Sequence, residues 1–127
     1  MLFGSELARK AAAAGSPLLS VNVHPGVAAT NLFDSMIPNL PGLQKAFYFG
    51  MGLVLQDERQ GAEGELYAAT MPDVQPDDYL GPTQLQGMRG PVKRAPRNKE
   101  ARDPQLAARL WEKSVELTGA DYSGLTG

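Results

Sequence analysis

The run Leu18-Leu19-Ser20-Val21-Asn22-Val23-His24, halted by Pro25-Gly26, constrains this chain more than any other stretch. Leu19, Val21 and Val23 alternate onto one face, and a proline-glycine pair cannot continue a ladder, so residues 18–24 read as a strand. Its other face carries Leu18, Ser20, Asn22 and His24. A helical pattern precedes it over residues 2–14, where Phe3, Leu7, Ala11 and Ala14 share a face and Gly15 suits the position after a helix end. A second helical pattern follows over 43–55, with Leu43, Ala46, Phe47, Gly50, Met51, Val54 and Leu55 in one stripe. Helix, strand, tight turn and helix in that order point to an α/β chain.

The remaining punctuation extends the alternation. Asp57 with Gln60 has the form of a capping box opening a helix over 58–71, whose inner face is expected to be Ala62, Leu66, Ala69 and Thr70. Pro72 ends it. Tyr79-Leu80 before Gly81-Pro82 predicts a short strand at 78–82. Residues 86–102 read as loop, broken by Gly87, Gly90, Pro91 and Pro96. Asp103-Pro104 is an N-cap followed by an N1 proline, so 103–119 forms a last helix closed by Gly119, with Ala107, Leu110, Trp111, Ser114 and Leu117 on one side. Residues 31–42 mix Pro38, Pro41 and Gly42 with Leu32, Phe33, Met36 and Ile37, an irregular excursion too apolar for a plain linker. The first helix has no capping residue ahead of it, as a helix cut in its interior would look.

Composition narrows the chemistry. The chain has 127 residues, expected to form one domain, with a net charge of −2 and no cysteine. Disulfides, thiolate metal sites and cysteine nucleophiles are therefore excluded. His24 is the only histidine, and no carboxylates stand at ligand spacing from it, so no metal site is expected. Its place at the strand end reads as structural. Arg89, Lys93, Arg94, Arg97, Lys99 and Arg102 are half of the 12 basic residues. They lack the interleaved aromatics on which bases stack, so the stretch reads as a solvated connection and no nucleic-acid partner is expected. No run approaches the ~18 apolar residues of a membrane span. Glu6, Arg9 and Lys10 interrupt the N-terminal stretch where a signal peptide would be apolar, and a cytoplasmic location is the expectation.

Several segments resemble one family. His24-Pro25-Gly26-Val27-Ala28-Ala29-Thr30-Asn31-Leu32 resembles the Pro-Gly-x-x-x-Thr segment after the sixth strand of short-chain dehydrogenases/reductases. Phe3-Gly4-Ser5-Glu6-Leu7-Ala8-Arg9-Lys10 is similar to the downstream end of that family's catalytic helix. Gln60-Gly61-Ala62-Glu63 with Leu66-Tyr67 looks like its next helix, and Tyr79-Leu80-Gly81-Pro82 like its seventh strand. Asp103-Pro104, Arg109-Leu110-Trp111 and Glu116-Leu117-Thr118-Gly119 resemble the tail of the retinol-dehydrogenase-like branch.

The resemblance implies a partial Rossmann-like fold: the last two parallel strands of the sheet with their flanking helices, spread over residues 1–127. Residues 31–56 would be the substrate lid. Pro25, Gly26, Ala28 and Thr30 would face the nicotinamide of NAD or NADP. Helix 2–14 would belong to a dimer interface, giving a homo-oligomer or a pairing with a full-length relative. The same resemblance implies a C-terminal half, cut just after the catalytic tyrosine and lysine. No Tyr-x-x-x-Lys occurs at Tyr48, Tyr67, Tyr79 or Tyr122, and no glycine-rich dinucleotide turn is present. No catalytic residue is assigned, and the chain alone is expected neither to bind the cofactor nor to transfer hydride. The alternative is a non-catalytic interaction protein built on the same scaffold. In either case the strand 18–24 would lack an inner neighbour, an open edge of the kind that aggregates.

Overall fold

The computed structural model describes residues 1–27 and 56–126. The regular elements are α1 (Leu2–Ala13), β1 (Asn22–Val23), α2 (Glu58–Thr70), β2 (Tyr79–Gln84), β3 (Arg89–Arg94) and α3 (Pro104–Thr118), with short 3-10 turns at Leu85–Gly87, Glu100–Arg102 and Ser123–Thr126. The strands form a sheet in the order β1-β2-β3. β1 and β2 run parallel: the Asn22 N–H donates to the Asp78 carbonyl at 2.8 Å, and the His24 N–H to the Leu80 carbonyl at 2.9 Å. The fold class is therefore α/β, a partial Rossmann-like arrangement of parallel strands with flanking helices. The chain clusters into two compact units, one of Met1–Asn22, Pro72–Tyr79 and Pro96–Gly127, the other of Val23–Met71 and Leu80–Ala95.

In the first unit, α1 packs on α3 through aromatic rings. Phe3 stacks on Trp111 with centroids 4.7 Å apart, and Tyr122 closes on Trp111 at 4.4 Å. The buried apolar positions are Ala8 and Ala11 on α1 and Ala107 and Trp111 on α3, small residues that let the helices approach around one large ring. The Lys10 ammonium lies 5.3 Å above the same indole. α3 starts where the sequence places it: the Asp103 carboxylate accepts from the N–H groups of Gln105 and Leu106, and Pro104 occupies the first turn. Gly119 ends it at φ 64°, in the left-handed region that glycine tolerates best. Leu110 and Leu117 do not join Trp111 inside. They are 41% and 72% exposed, because the α1 contact takes a narrower arc of α3 than the sequence pattern spans.

In the second unit, α2 opens with the expected capping box, Asp57 accepting from the Gln60 N–H at 2.7 Å and the Gln60 side chain accepting from the Asp57 N–H at 3.2 Å. Its inner face is different from the expected one. Gly61 and Gly64 are buried, whereas Ala62, Leu66, Ala69 and Thr70 are exposed. The reason is distance: a Cβ on Gly64 would stand 2.6 Å from Val23 Cγ1, so only a glycine lets the helix backbone approach β1 so closely.

Two strand expectations also change. Only Asn22–Val23 of residues 18–24 is regular strand. The segment ahead of β2 bends, with the Asp78 carboxylate accepting from the Gln75 N–H and Asp77 at φ 65°, so the pairing leaves regular ladder geometry there even though the Asp77 N–H still reaches the Ser20 carbonyl at 2.9 Å. Residues 89–94, read as loop, form β3, antiparallel to β2 with Leu80 opposite Arg94 and Pro82 opposite Val92. The glycines that looked like breakers shape the hairpin instead, Gly87 at φ 86° and Gly90 at φ 102°. Pro91 is tolerated because β3 is last in the sheet order and needs fewer ladder N–H groups.

Trp111→Ala is expected to lower stability by about 3–5 kcal/mol through the lost ring and the cavity it leaves. Asp103→Ala is expected to cost only about 1 kcal/mol, the usual worth of an N-cap. Urea unfolding followed by far-UV circular dichroism measures both. Equal losses would contradict an aromatic anchor for α3.

Candidate functional site

The turn after β1 is where open parallel sheets leave room for a ligand, at the carboxyl end of a strand. Here it is held from one side by a single residue. Gln56 is only 3% exposed. Its Nε2 donates to the Pro25 carbonyl at 2.8 Å, and its Oε1 accepts from the Gly90 N–H at 3.2 Å. Its own backbone N–H donates to the Val27 carbonyl at 3.0 Å, and the Val27 N–H donates to the Met88 carbonyl at 2.9 Å. The turn, the start of β3 and the approach to α2 are thus tied through one amide.

Gly26 is required twice over. Its φ is 75°, and a Cβ there would meet the Met88 carbonyl oxygen at 2.5 Å, Gln56 Nε2 at 2.6 Å and Pro82 Cγ at 2.7 Å. Beside it, the His24 imidazole fills the space that a side chain on Gly81 would need, and Gly87 borders the same slot. Burial pushes the His24 pKa below its ordinary 6.5, so the ring is neutral at physiological pH.

Of the four residues assigned to the nicotinamide wall, Pro25 and Gly26 lie together in this turn. Ala28 and Thr30 lie outside the described residues, as do residues 31–55 of the lid and the helix expected at 43–55. The Val27 N–H is spent on Met88 and cannot also serve a ligand carboxamide. Sequence reading missed Gln56. Its one signal was a polar side chain closing the apolar run Leu53-Val54-Leu55, just ahead of the Asp57 cap.

The first unit holds a second polar cluster. Arg97 grips Asp77 with both arms, at 2.8 and 3.0 Å, and reaches the Ser5 hydroxyl at 3.0 Å. Burial pulls the Asp77 carboxyl upward, but the hydrogen bonds from Arg97 and Ser5 and the Arg97 charge outweigh it and hold its pKa below the ordinary 3.8. The Glu6 carboxyl, bonded by Arg9 and close to Lys10, is likewise held low, burial opposing. These groups border a cleft of about 220 Å³ with Ala101 and Asp103. Each charge there already has its partner, so the cluster braces α1 and presents no group for chemistry. Arg97 holds Asp77, and Arg102 donates to the Arg97 carbonyl at 2.7 Å. Among the described residues no three histidine, cysteine or acidic side chains come together to hold a metal, and no helix is long and apolar enough to cross a membrane.

Two outcomes follow. Gly26→Ala is expected to lower stability by about 1–3 kcal/mol, whereas Gly15→Ala, also at positive φ but with open space around it, is expected to cost less. Comparing their thermal midpoints tests the cage; equal losses would contradict it. Asp77 has a folded-state pKa below its unfolded value, so its stabilisation is whole above about pH 4 and drains as pH falls through the lower folded value. In Asp77→Asn that part of the acid slope should vanish, which stability measured from pH 7 to pH 2 would reveal.

No protein-family model matches the chain. It is 27% identical, over 94% of its length, to the short chain dehydrogenase/reductase dpmpH of Macrophomina phaseolina, and spans 56% of that protein. It also superposes on the crystal structure of an uncharacterised protein from Mycobacterium paratuberculosis with a TM-score of 0.67 and 33% identity, over 95% of this chain and 36% of that one. The chain thus spans about half the length of the curated relative it matches.

Proposed function

We propose that this chain is the C-terminal, nicotinamide-facing part of a short-chain dehydrogenase/reductase-type oxidoreductase, and that by itself it is catalytically silent. The observation that carries the reading is the Pro25-Gly26 turn at the carboxyl end of parallel β1, with Gly26 caged by Met88, Gln56 and Pro82. The likeness to the Macrophomina dehydrogenase/reductase supports it. The closing Asp103-Pro104 and Arg109-Leu110-Trp111 segments favour the retinol-dehydrogenase-like branch, and a cytoplasmic setting accompanies the reading.

The residues present fit one end of NAD(P) and not the other. The turn offers a backbone edge at Pro25 and Gly26 for a carboxamide, and by the resemblance Ala28 and the Thr30 hydroxyl, outside the described residues, would complete that wall. The sequence holds no glycine-rich turn for the phosphates and no Tyr-x-x-x-Lys for proton transfer. When bound, the cofactor supplies the hydride that moves to or from an alcohol or carbonyl carbon. The part of this chain is to orient the ring and, through residues 31–56, to cover the substrate. Gln56 holds the Pro25-Gly26 end of that wall through its bond to the Pro25 carbonyl, which supports a preformed edge.

The purified chain with NADH or NADPH and a panel of carbonyl compounds is expected to show no turnover above the protein-free rate. A chimera joining it to the N-terminal half of a short-chain dehydrogenase, with that half's glycine-rich turn and Tyr-x-x-x-Lys, is expected to reduce carbonyls. In the chimera, Thr30→Ala should lower kcat/KM by about threefold to tenfold, the worth of one hydrogen bond. Turnover by the chain alone would refute the silent state. A folded, cofactor-binding chimera indifferent to Thr30 would refute the assignment of the wall.

A further inference from the structure

The outer face of α3 carries a pattern that the fold leaves unused. Leu106, Leu110, Lys113 and Leu117 follow at spacings of four, three and four, a heptad seam with Leu110 and Leu117 at a and Leu106 and Lys113 at d. At 100° per residue they fall within roughly 60° of arc. That arc is left exposed beside the α1 contact: Leu106, Leu110 and Leu117 are 36%, 41% and 72% exposed, while Trp111 is buried. Leu2 and the side chains of Arg109, Lys113 and Glu116 border the same shallow groove.

The charges beside the seam select an occupant. Arg109 and Glu116 stand at the two g positions. The e positions, Ala107 and Ser114, face the α1 side, Ala107 buried and Ser114 half-buried. In a parallel pair, g residues meet e residues of the other helix, so neither charge would find a partner. In an antiparallel pair, g meets g. Two copies of α3 related by a two-fold axis would then place Arg109 of each against Glu116 of the other, with Leu106 over Leu117 and Leu110 along the Lys113 stem. The sequence is self-complementary in this one orientation, as an isologous contact requires. Glu116 can serve both its neighbour and a partner: one carboxylate oxygen takes Lys113 at 2.7 Å, and the side chain is 67% exposed.

We propose that two copies of this chain associate through an antiparallel α3–α3 contact. The contact is small, three leucines from each copy and two ion pairs in all, which puts it in the weak, salt-sensitive class. It goes beyond the oxidoreductase reading and does not depend on it. It also differs from a contact through residues 2–14, the dimer helix implied by family resemblance.

Sedimentation equilibrium across the micromolar to millimolar range decides it. The unaltered chain is expected to show a monomer–dimer equilibrium that weakens as salt rises. Arg109→Glu and Glu116→Arg should each raise the dissociation constant at least roughly tenfold, since each sets like charges face to face twice. The double exchange, Arg109→Glu with Glu116→Arg, should restore it. Mixing the two single variants should give a heterodimer tighter than either homodimer. Both positions are solvent-exposed, and circular dichroism checks that each variant is folded. A chain that stays monomeric throughout would overturn the proposal. So would a dimer unmoved by the charge changes, the result expected if residues 2–14 form the contact.

Discussion

In the second unit, the Pro25-Gly26 turn and the start of β3 depend on one buried amide. Gln56 is almost wholly removed from water, and its two ends are used on different parts of the chain, Nε2 on the Pro25 carbonyl and Oε1 on the Gly90 N–H. A buried amide that keeps both bonds is close to neutral in energy, but one that loses either leaves a desolvated group worth about 1–3 kcal/mol. The geometry is therefore nearly all-or-none. The glycine at 26 follows from it, since the amide nitrogen stands where a side chain would be. Val27 is held alongside it by main-chain bonds, its carbonyl by the Gln56 backbone N–H and its N–H by the Met88 carbonyl.

This bears on how the turn is understood. Family resemblance explains Gly26 by the approach of a nicotinamide ring. The structure supplies a reason internal to the protein: positive φ and a filled cage. The two are compatible, because a turn fixed from behind presents a constant edge in front. The internal reason, however, would demand glycine with or without a ligand.

Local features were legible in the sequence. The Asp57 and Asp103 caps and the Gly119 stop came from single residues whose bonding options are few. The Trp111 anchor was also legible, being the only tryptophan on an amphipathic helix. What could not be read was anything set by a distant neighbour. The glycine face of α2 depends on how closely it meets Val23, and helix periodicity, which counts apolar side chains, is blind to glycine used as an absence. β3 was hidden because Gly87, Gly90 and Pro91 break patterns in isolation but fit a hairpin at a sheet edge. Of the site, the Pro25-Gly26 turn was visible as a motif. Gln56 was not, since its two partners lie 31 and 34 positions away.

The most direct test of the account is amide hydrogen exchange at Val27 and Gly90, read by NMR in the native chain and in Gln56→Ala. If one amide holds the turn, both sites are slow in the native chain and speed up together in the variant, while Ala107 and Trp111 in α3 keep their rates. Fast exchange at Val27 and Gly90 in the native chain, or protection that survives loss of the Gln56 side chain, would contradict it.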